Sequence, residues 1–414
     1  MIHYALPYNV EGNNNYGMPI YTKAVNDPSQ LAEQQSIGRS TVKETYDQIL
    51  SDLNNAESML PDIIDADKIG RASKGAAIAL KTRVYLHMRD WNNVVTEAKK
   101  LEGGRFILET NPATPFVSYK DNQESIFSIP NDSQDNASVN GAMSAMMSAR
   151  EGGRAMCPTS PTLYNSKFWK GDDKRRNLVL YRASDNYYFC DKYQNPQTRE
   201  EYAPILRYAE VLLNYAEAQA ELGLITDSEW ALTVGALRKR AGITGGTETL
   251  PTTVDSYLQS TFYPDVTSPV LLEIRRERAI ELVAEGMRFD DLRRWKCGSL
   301  METLPWTGIH IPGLEQPVDV NGDGVNDYYF TEGEVASAPA AYKNIAVRVN
   351  QDGVGLYAEA NAVAGYDLVY KTGAGDRYWY PDGRQYLYPI PAKVIRDYRN
   401  AGYTISQNPE WDNE

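Results

Sequence analysis

The strongest fold signal in this 414-residue chain is the stretch Ile274-Arg-Arg-Glu-Arg-Ala-Ile-Glu-Leu-Val-Ala-Glu-Gly-Met-Arg-Phe-Asp-Asp-Leu-Arg-Arg-Trp295. Its apolar residues recur at helical spacing. Ser268-Pro269 supplies an N-cap and a first-turn proline, which predict the start of a helix. The helical spacing continues to Glu285-Gly286, where the helix is predicted to end. A second, short helix is predicted from Phe289 to Trp295. The stretch therefore predicts two consecutive helices.

Three glutamates of the first helix, Glu277, Glu281 and Glu285, lie four residues apart and share one face. Carboxylates in such a row can bind a metal or serve as acid and base in catalysis. The alternative is a lattice of salt bridges, which the density of nearby arginine favours. The arginines expected in the lattice are Arg278, Arg288, Arg293 and Arg294. On this interpretation, replacing Arg288 destabilises the fold and leaves ligand binding unchanged.

Helical periodicity continues on the amino-terminal side of this pair. Two helices are predicted from about residue 202 to 223 and from Asp227 or Ser228 to Gly242. Three earlier ones are predicted over residues 41–60, 73–88 and 91–101, the last two joined by a short turn as a helical hairpin. Such pairs predict a mainly α fold of tetratricopeptide-like hairpins. The regular repeat of about 34 residues is missing, so insertions are expected between the units.

The stretches between the helical segments are rich in Ser, Asn, Pro, Gly and Tyr, and predict loops with short strands. The predicted organisation has four parts. These are an N-terminal part with a helical hairpin (1–105), an irregular aromatic-rich region (106–200), a second helical part (201–300) and a loop-rich C-terminal part (301–414). We expect the four to form one continuous globular unit.

Composition excludes several classes of protein. The chain has 42 Lys and Arg against 55 Asp and Glu, a net charge of −13, and such a surface repels nucleic acid. Hydrophobic residues make up 42%, which excludes disorder throughout the chain. No apolar stretch approaches the roughly 18–20 residues that span a bilayer. The N-terminus MIHYALPYNVEGNNNYG has no signal-peptide pattern, so either the protein is cytoplasmic or the sequence lacks its natural start.

A loop in the C-terminal part has the spacing of a calcium site. Side-chain oxygens of Asp319, Asn321, Asp323 and Asp327 occupy positions 1, 3, 5 and 9, and the carbonyl of Val325 occupies position 7. Position 12 is Phe330, so the bidentate glutamate of a complete EF-hand is missing. The alternative is a polar turn that binds nothing. The pattern predicts at most a structural calcium ion.

Aromatic residues cluster in the irregular region, interleaved with amide and charged side chains. The candidate ligand-binding residues are Tyr164, Phe168, Trp169, Tyr187, Tyr188 and Tyr193. A sugar needs flat apolar faces together with hydrogen-bonding groups at its hydroxyls, and this composition supplies both. The alternative is that the rings hold a loop-rich lobe onto the helices.

Three stretches resemble the SusD/RagB family, the surface glycan-binding lipoproteins of Bacteroidetes. They are Tyr208-Ala-Glu-Val-Leu-Leu-Asn-Tyr-Ala-Glu-Ala218 after Pro204-Ile-Leu-Arg207, the stretch from Ile274 to Trp295, and Tyr388-Pro-Ile-Pro391 followed by Gln407-Asn408-Pro409. The resemblance implies a tetratricopeptide-like scaffold with a loop-rich side that binds oligosaccharide through aromatic rings. It also implies a protein without catalysis or required cofactor, which caps a SusC-like TonB-dependent transporter at the outer-membrane surface.

Two features depart from the family pattern. No lipoprotein signal with an acylated cysteine is readable, so membrane contact is expected only through a lipid anchor absent from this sequence. Asn15-Tyr-Gly-Met-Pro19 resembles a segment that follows an N-terminal helical stretch in the family. We therefore expect the sequence to begin inside the family pattern and to lack part of the glycan site. Two other functions stay open: a helical scaffold that binds protein or peptide, and a glycoside hydrolase.

Overall fold

A computed structural model describes residues 3–8, 13–30, 36–62, 69–117, 122–131, 141–156, 158–159, 167–171, 173–182, 187–297, 329–331, 347–349, 355–356 and 384–411. Its helices are α1 (Val42–Met59), α2 (Lys74–Met88), α3 (Trp91–Lys99), α4 (Thr114–Val117), α5 (Met143–Met147), α6 (Tyr208–Glu221), α7 (Asp227–Leu232), α8 (Val234–Arg240), α9 (Ser256–Thr261), α10 (Pro269–Glu281), α11 (Met287–Arg294) and α12 (Ala392–Asn400). Helices dominate and the strands are few and short, which confirms the predicted fold class.

The predicted helical hairpin and its short turn are confirmed. The Ser73 hydroxyl accepts a hydrogen bond from the Ala76 amide at the start of α2. Arg89 ends α2 in the left-handed region at a φ of 57°. The next residue, Asp90, accepts a bond from the Asn93 amide and starts α3. The chain therefore reverses over two residues, as the sequence predicted.

Three predicted helices differ from the structure. The helix predicted to end at Glu285-Gly286 is α10, which ends at Glu281. Residues Glu201–Arg207 form a strand, and α6 begins only at Tyr208. Pro204 lacks an N–H and disfavours helix for the residue before it, and Leu206 is buried while Ile205 is exposed, as in a strand. The helix predicted over 227–241 is broken at Thr233, whose φ of −114° and ψ of −98° separate α7 from α8.

The strands in the described part of the chain form three small sheets. Their bounds are β1 (Ser125–Asn131), β2 (Pro158–Thr159), β3 (Val179–Arg182), β4 (Tyr187–Cys190), β5 (Glu201–Arg207), β6 (Tyr329–Thr331), β7 (Val347–Val349) and β8 (Gly355–Leu356). β1 pairs antiparallel with β5, with Ser128 opposite Pro204. β4 lies between β2 and β3, and β7 lies between β6 and β8. The β1–β5 pair delivers the chain directly to the first residue of α6.

The core consists of packed helices, with α6 near its centre. α6 contacts α3, α2 and α10. Trp230 of α7 is fully buried, and its Nε1 donates to the carbonyl of Gly246 at 3.0 Å. Gly235 lies beneath the same loop, where a Cβ would come within 2.0 Å of the Thr247 carbonyl oxygen. A second apolar cluster joins α9, α10 and α11 to the aromatic residues at 168 and 169.

Within the part of the chain that the structure describes, every helix is too short or too polar to span a bilayer. The predicted four-part division stays a prediction.

Candidate functional site

The three glutamates of α10 and the turn after it lie inside the protein, each paired with cations from other elements. Their side chains are 1%, 3% and 5% exposed for Glu277, Glu281 and Glu285. Glu277 pairs with Arg175 and Arg238, Glu281 with Arg175, Arg207 and Arg240, and Glu285 with Lys192 and Arg207. Together with Glu124, which binds Arg207 and Arg240, we call these residues the buried ion-pair network.

Glu281 is the centre of this network. Its Oε1 accepts hydrogen bonds from Arg207 at 2.7 Å and Arg240 at 2.5 Å, and its Oε2 accepts one from Arg175 at 2.9 Å. Burial alone would raise the pKa of Glu281, but these guanidinium groups outweigh it and hold the pKa well below the ordinary value. A carboxylate so saturated offers no ligand position to a metal and takes up no proton near neutral pH. The salt-bridge interpretation is confirmed.

The prediction that Arg278, Arg288, Arg293 and Arg294 pair with these glutamates was wrong. Arg278 and Arg294 bind Asp291 and Glu217 instead. Their charges lower the pKa of Asp291 to about 2, against the effect of burial. Arg288 donates to the Tyr263 hydroxyl at 2.8 Å. The predicted partners lie on α10 and α11 beside the glutamates in sequence, whereas the observed partners arrive from β5, α8 and the segment around Arg175, which sequence spacing does not reveal.

The candidate aromatic residues that the structure describes lie in the core. Phe168 and Trp169 are 3% and 8% exposed, and the Phe168 ring packs on Phe262 with centroids 4.6 Å apart. Tyr193 is 3% exposed, packs edge-on against Phe116, and has its pKa raised by burial. Rings placed in this way present no free face, so their burial does not support stacking on a ligand. Tyr164 lies outside the described residues, as do the side chains of Tyr187 and Tyr188.

The predicted calcium loop, 319–327, also lies outside the described residues. Among the residues that are described, no group of three or more His, Cys, Asp or Glu side chains could hold a metal ion.

An open groove of about 780 Å³ lies where the N-terminal segment meets the C-terminal tail. A volume of this size suits a small ligand or a few sugar units. We call it the tail groove. Its lining residues are Tyr16, Ala392, Ile395, Arg396, Arg399, Ile405, Ser406, Gln407 and Trp411.

Hydrogen bonds to buried amides hold the tail in place beside the groove. The Gln407 side chain accepts from the amide of Ile390 at 2.6 Å and donates to its carbonyl at 3.1 Å. Asn408, 1% exposed, donates to the carbonyls of Tyr388 at 2.7 Å and Tyr4 at 3.1 Å. The Gln-Asn-Pro ending is therefore a structural clamp that folds the tail back onto the N-terminal segment.

Arg39 joins the two walls of the groove. Its guanidinium donates to carbonyls of the N-terminal segment and also to Ser406 and Asn408 of the tail. The same group lies over the Tyr16 ring, 5.2 Å from its centroid. Burial lowers the pKa of Arg39. Every one of its acceptors is neutral, so its charge has no carboxylate partner among the described residues.

Two aromatic rings belong to the groove lining. Tyr16 is 49% exposed, so its outer face is open to solvent. Trp411 is half-buried, and its Nε1 donates to the carbonyl of Leu387 at 3.0 Å, which fixes the plane of the indole. A rigid indole and an open phenol ring, with hydrogen-bonding groups between them, are the elements that sugar binding requires.

Sequence analysis missed these residues. Tyr16 enters the sequence analysis only as part of the family resemblance of Asn15–Pro19, and the stretch 392–400 only as part of the loop-rich C-terminal part. One available signal was the spacing of Ala392, Ile395, Arg396 and Arg399, which places two arginines on one face of α12. The meeting of that face with Tyr16, more than 370 residues away, is a tertiary contact.

Family comparisons match both walls of the groove. Residues 166–411 match the model described as the SusD family. The chain belongs to the SusD family. Residues 2–86 of this SusD-family protein match a second model, described as starch-binding associating with outer membrane. Tyr16 lies in the second range and the other lining residues lie in the first. The resemblance predicted from sequence is confirmed.

The individual relatives share 20–27% sequence identity with this chain. SusD-like protein P2 of Formosa agariphila is 27% identical over 328 residues, 68% of this chain, and the alignment spans 61% of that relative's length. A SusD superfamily structure from Bacteroides vulgatus aligns over 99% of this chain and 73% of its own, with a TM-score of 0.62 and 20% identity. A laminarin-binding SusD-like protein aligns over 72% of this chain and 69% of its own, with a TM-score of 0.54 and 24% identity. At these identities, the structural likenesses establish the fold.

Proposed function

We propose that this SusD-family protein binds an oligosaccharide without cleaving it and delivers it to a SusC-like TonB-dependent transporter. The observation that carries the proposal is the pair of family matches, one of which is described as starch-binding associating with outer membrane. The name of the laminarin-binding relative describes a glycan ligand for that protein. On this proposal the protein works at the outer membrane of the cell surface, held by a lipid anchor in its full-length form.

The tail groove is the proposed ligand site. Tyr16 supplies an open ring face, Trp411 supplies an indole of fixed orientation, and Arg396 and Arg399 supply exposed donors. Glu277, Glu281 and Glu285, the carboxylates considered for catalysis, are paired with cations in the buried ion-pair network. This pairing supports a binding role over a hydrolytic one.

Affinity electrophoresis of the purified chain through gels containing plant, host and microbial polysaccharides tests this proposal. We expect retardation by at least one polymer. Tyr16→Ala should weaken that binding by about tenfold, a loss of about 1.4 kcal/mol, because it removes the open ring. Retardation by no polymer overturns the proposal.

Val25→Ala is the matched control. Val25 is 45% exposed, against 49% for Tyr16, lies on the same N-terminal segment and is outside the groove lining. Its removal should leave retardation unchanged. Equal losses for the two variants would show that the ligand binds elsewhere.

Transporter delivery has a separate test. When the full-length protein is co-expressed with its SusC-like transporter, the two should copurify from detergent-extracted outer membranes in equal amounts. Absence of a complex under conditions where the glycan still binds would remove delivery and leave binding intact.

A structural calcium ion at residues 319–327 is also proposed, from the spacing of Asp319, Asn321, Asp323 and Asp327 and the carbonyl of Val325. An ion that binds only the folded state raises the melting temperature. Addition of EDTA should therefore lower it, and calcium in excess should restore it. A melting temperature that does not respond to EDTA overturns this proposal.

One observation favours the alternative function of a protein-binding scaffold. An apolar groove of about 440 Å³ lies between α3, α6 and α7, and Leu232 at its edge is 61% exposed. Under the glycan proposal, Leu232→Glu leaves polymer retardation unchanged. Loss of transporter copurification in that variant, with no polymer bound by the parent protein, would favour the scaffold function.

A further inference from the structure

The charge of the tail groove is opposite to that of the protein as a whole. The chain carries a net charge of −13, yet the described lining of the groove includes two arginines and no acidic residue. The nearest acid on α12 is Asp397, and its carboxylate is already paired with Lys393 at 2.5 Å. Glu410 is exposed next to Trp411 but is not part of the lining. The described lining of the groove is therefore cationic, although the chain as a whole is anionic.

The two arginines have no partner within the described residues. Arg396 and Arg399 are exposed, and neither forms an ion pair with any acid that the structure describes. Arg399 lies in the last turn of α12, where the helix dipole favours a cation, but Arg396 precedes that turn. Helix stability therefore accounts for one of the two charges at most.

The face of α12 that carries these arginines is turned to the groove. Ala392, Ile395, Arg396 and Arg399 all line it, and no residue of the helix is buried. Side chains three or four residues apart on a helix are neighbours, so the two guanidinium groups can approach one ligand. Arg39, which has only neutral acceptors among the described residues, adds a third positive charge against the face of the Tyr16 ring.

We propose that the tail groove selects an acidic oligosaccharide, with Arg396 and Arg399 binding its carboxylate or sulfate groups. This inference rests on the proposed function, because it names the ligand class of the same site. A planar guanidinium binds a carboxylate or sulfate through two parallel hydrogen bonds, and such charged pairs are stronger than neutral ones. Tyr16 and Trp411 bind the sugar rings, and the arginines read the acidic substituents. Neutral glycans leave both charges unused.

The test is affinity electrophoresis, in buffer without added calcium or chelator, with two matched pairs of polymers. Polygalacturonate is compared with its carboxyl-reduced, uncharged form, and dextran sulfate is compared with dextran. We expect at least one acidic polymer to bind tenfold or more tightly than its neutral counterpart. The pair that shows the difference identifies carboxylate or sulfate as the ligand group.

Arg396→Gln and Arg399→Gln should each weaken binding of the acidic polymer at least tenfold and leave the melting temperature unchanged, because both side chains are exposed. The matched control is Lys393→Gln, which removes the same charge from the same helix outside the groove lining. It should change binding less than twofold.

The outcomes separate this inference from the proposed function. If the neutral polymers bind as tightly as the acidic ones, or if a variant that combines Arg396→Gln with Arg399→Gln keeps the preference, the inference is overturned while glycan binding stands. Equal losses in the Arg396→Gln and Lys393→Gln variants would show that overall charge decides binding, which also overturns it. If none of the four polymers binds but another neutral glycan does, the inference fails alone. If no glycan binds at all, both proposals fail.

Discussion

At the scale of single residues, burial decides what a charged group can do. Three guanidinium groups donate hydrogen bonds to the two carboxylate oxygens of Glu281, and they hold its pKa well below the ordinary value of a glutamate. Removing one member of such a cluster leaves the others charged and unpaired in the interior, which costs far more than breaking an exposed pair. The same side chain on the surface would contribute almost nothing to stability.

Glu281→Gln should therefore destabilise the protein by roughly 3–5 kcal/mol, because it removes the charge that compensates Arg175, Arg207 and Arg240. Urea unfolding followed by circular dichroism measures this loss. Asp397→Asn is the control: it makes the same acid-to-amide change in the exposed pair with Lys393 and should stay within about 0.5 kcal/mol. A loss below about 1 kcal/mol for Glu281→Gln would contradict the structural role of the network.

Arg288→Ala should cost only about 1 kcal/mol, the net value of one hydrogen bond and its packing. Arg288 is half-buried and donates to the Tyr263 hydroxyl, outside the buried ion-pair network. The sequence predicts that replacing Arg288 destabilises the fold through the ion-pair lattice, and the structure limits the expected loss to this one hydrogen bond and its packing. The same urea experiment compares the two variants directly, and a cost for Arg288→Ala equal to that for Glu281→Gln would restore the original interpretation.

At the scale of elements, α12 depends on side-chain hydrogen bonds more than on apolar packing. α12 buries no residue, and its Tyr398 hydroxyl bonds to the carbonyl of Ile37 at 3.2 Å and to Tyr21 at 2.7 Å. The tail is fixed through Asn408 and Gln407. An element held in this way can open locally while the helical core stays folded.

Asn408→Ala should release the tail locally. It leaves the carbonyl of Tyr388 and one N–H of Arg39 without the partner that Asn408 supplies, and a buried unsatisfied group costs about 1–3 kcal/mol. Hydrogen exchange read by mass spectrometry should show faster exchange in 384–411 and unchanged exchange in α6 and α10.

The control for this experiment is Asn400→Ala, an exposed position at the end of α12, which should leave exchange in both regions unchanged. If Asn408→Ala accelerates exchange across the whole molecule, the tail is part of the global folding unit and the clamp interpretation is wrong.

At the scale of the whole molecule, the folded state binds fewer protons than the unfolded chain over the acidic range. Buried pairing lowers the pKa values of Glu217, Glu273, Glu281 and Glu285, and that of Asp291 to about 2. The stability that they contribute is complete above their ordinary pKa and is lost as pH falls through the folded values. Burial and the charge of Arg294 lower the pKa of His87 from 6.5 to about 3, so the unfolded chain protonates this ring first.

The free energy of unfolding should therefore decline in two stages as pH falls. The first stage begins near pH 6.5, the ordinary pKa of His87, and the steeper second stage begins near pH 4.5, the ordinary pKa of glutamate. Urea unfolding at pH 8, 6, 5, 4 and 3 measures both. His87→Gln should abolish the first stage and keep the second. Stability that rises between pH 8 and 4 would contradict the assigned pKa directions.

Much of the architecture follows from local sequence because helices are local structures. The helix starts at Thr41 with Glu44 and at Ser73 are set by capping bonds between residues three positions apart. The family resemblance was readable because its motifs are contiguous stretches of helix and tail. The boundary at Tyr208 was missed because strand β5 exists only through its pairing with β1, some 75 residues earlier in the chain.

The sequence by itself determined the mainly helical class, the hairpin between α2 and α3, and the family. Only the tertiary structure decided that Phe168, Trp169 and Tyr193 lie in the core, that Glu281 pairs with Arg175, Arg207 and Arg240, and that Tyr16 meets α12. The reason is physical. Helical periodicity and caps act over a few residues, whereas burial and ion pairing depend on which distant segments pack together, and no local pattern specifies that.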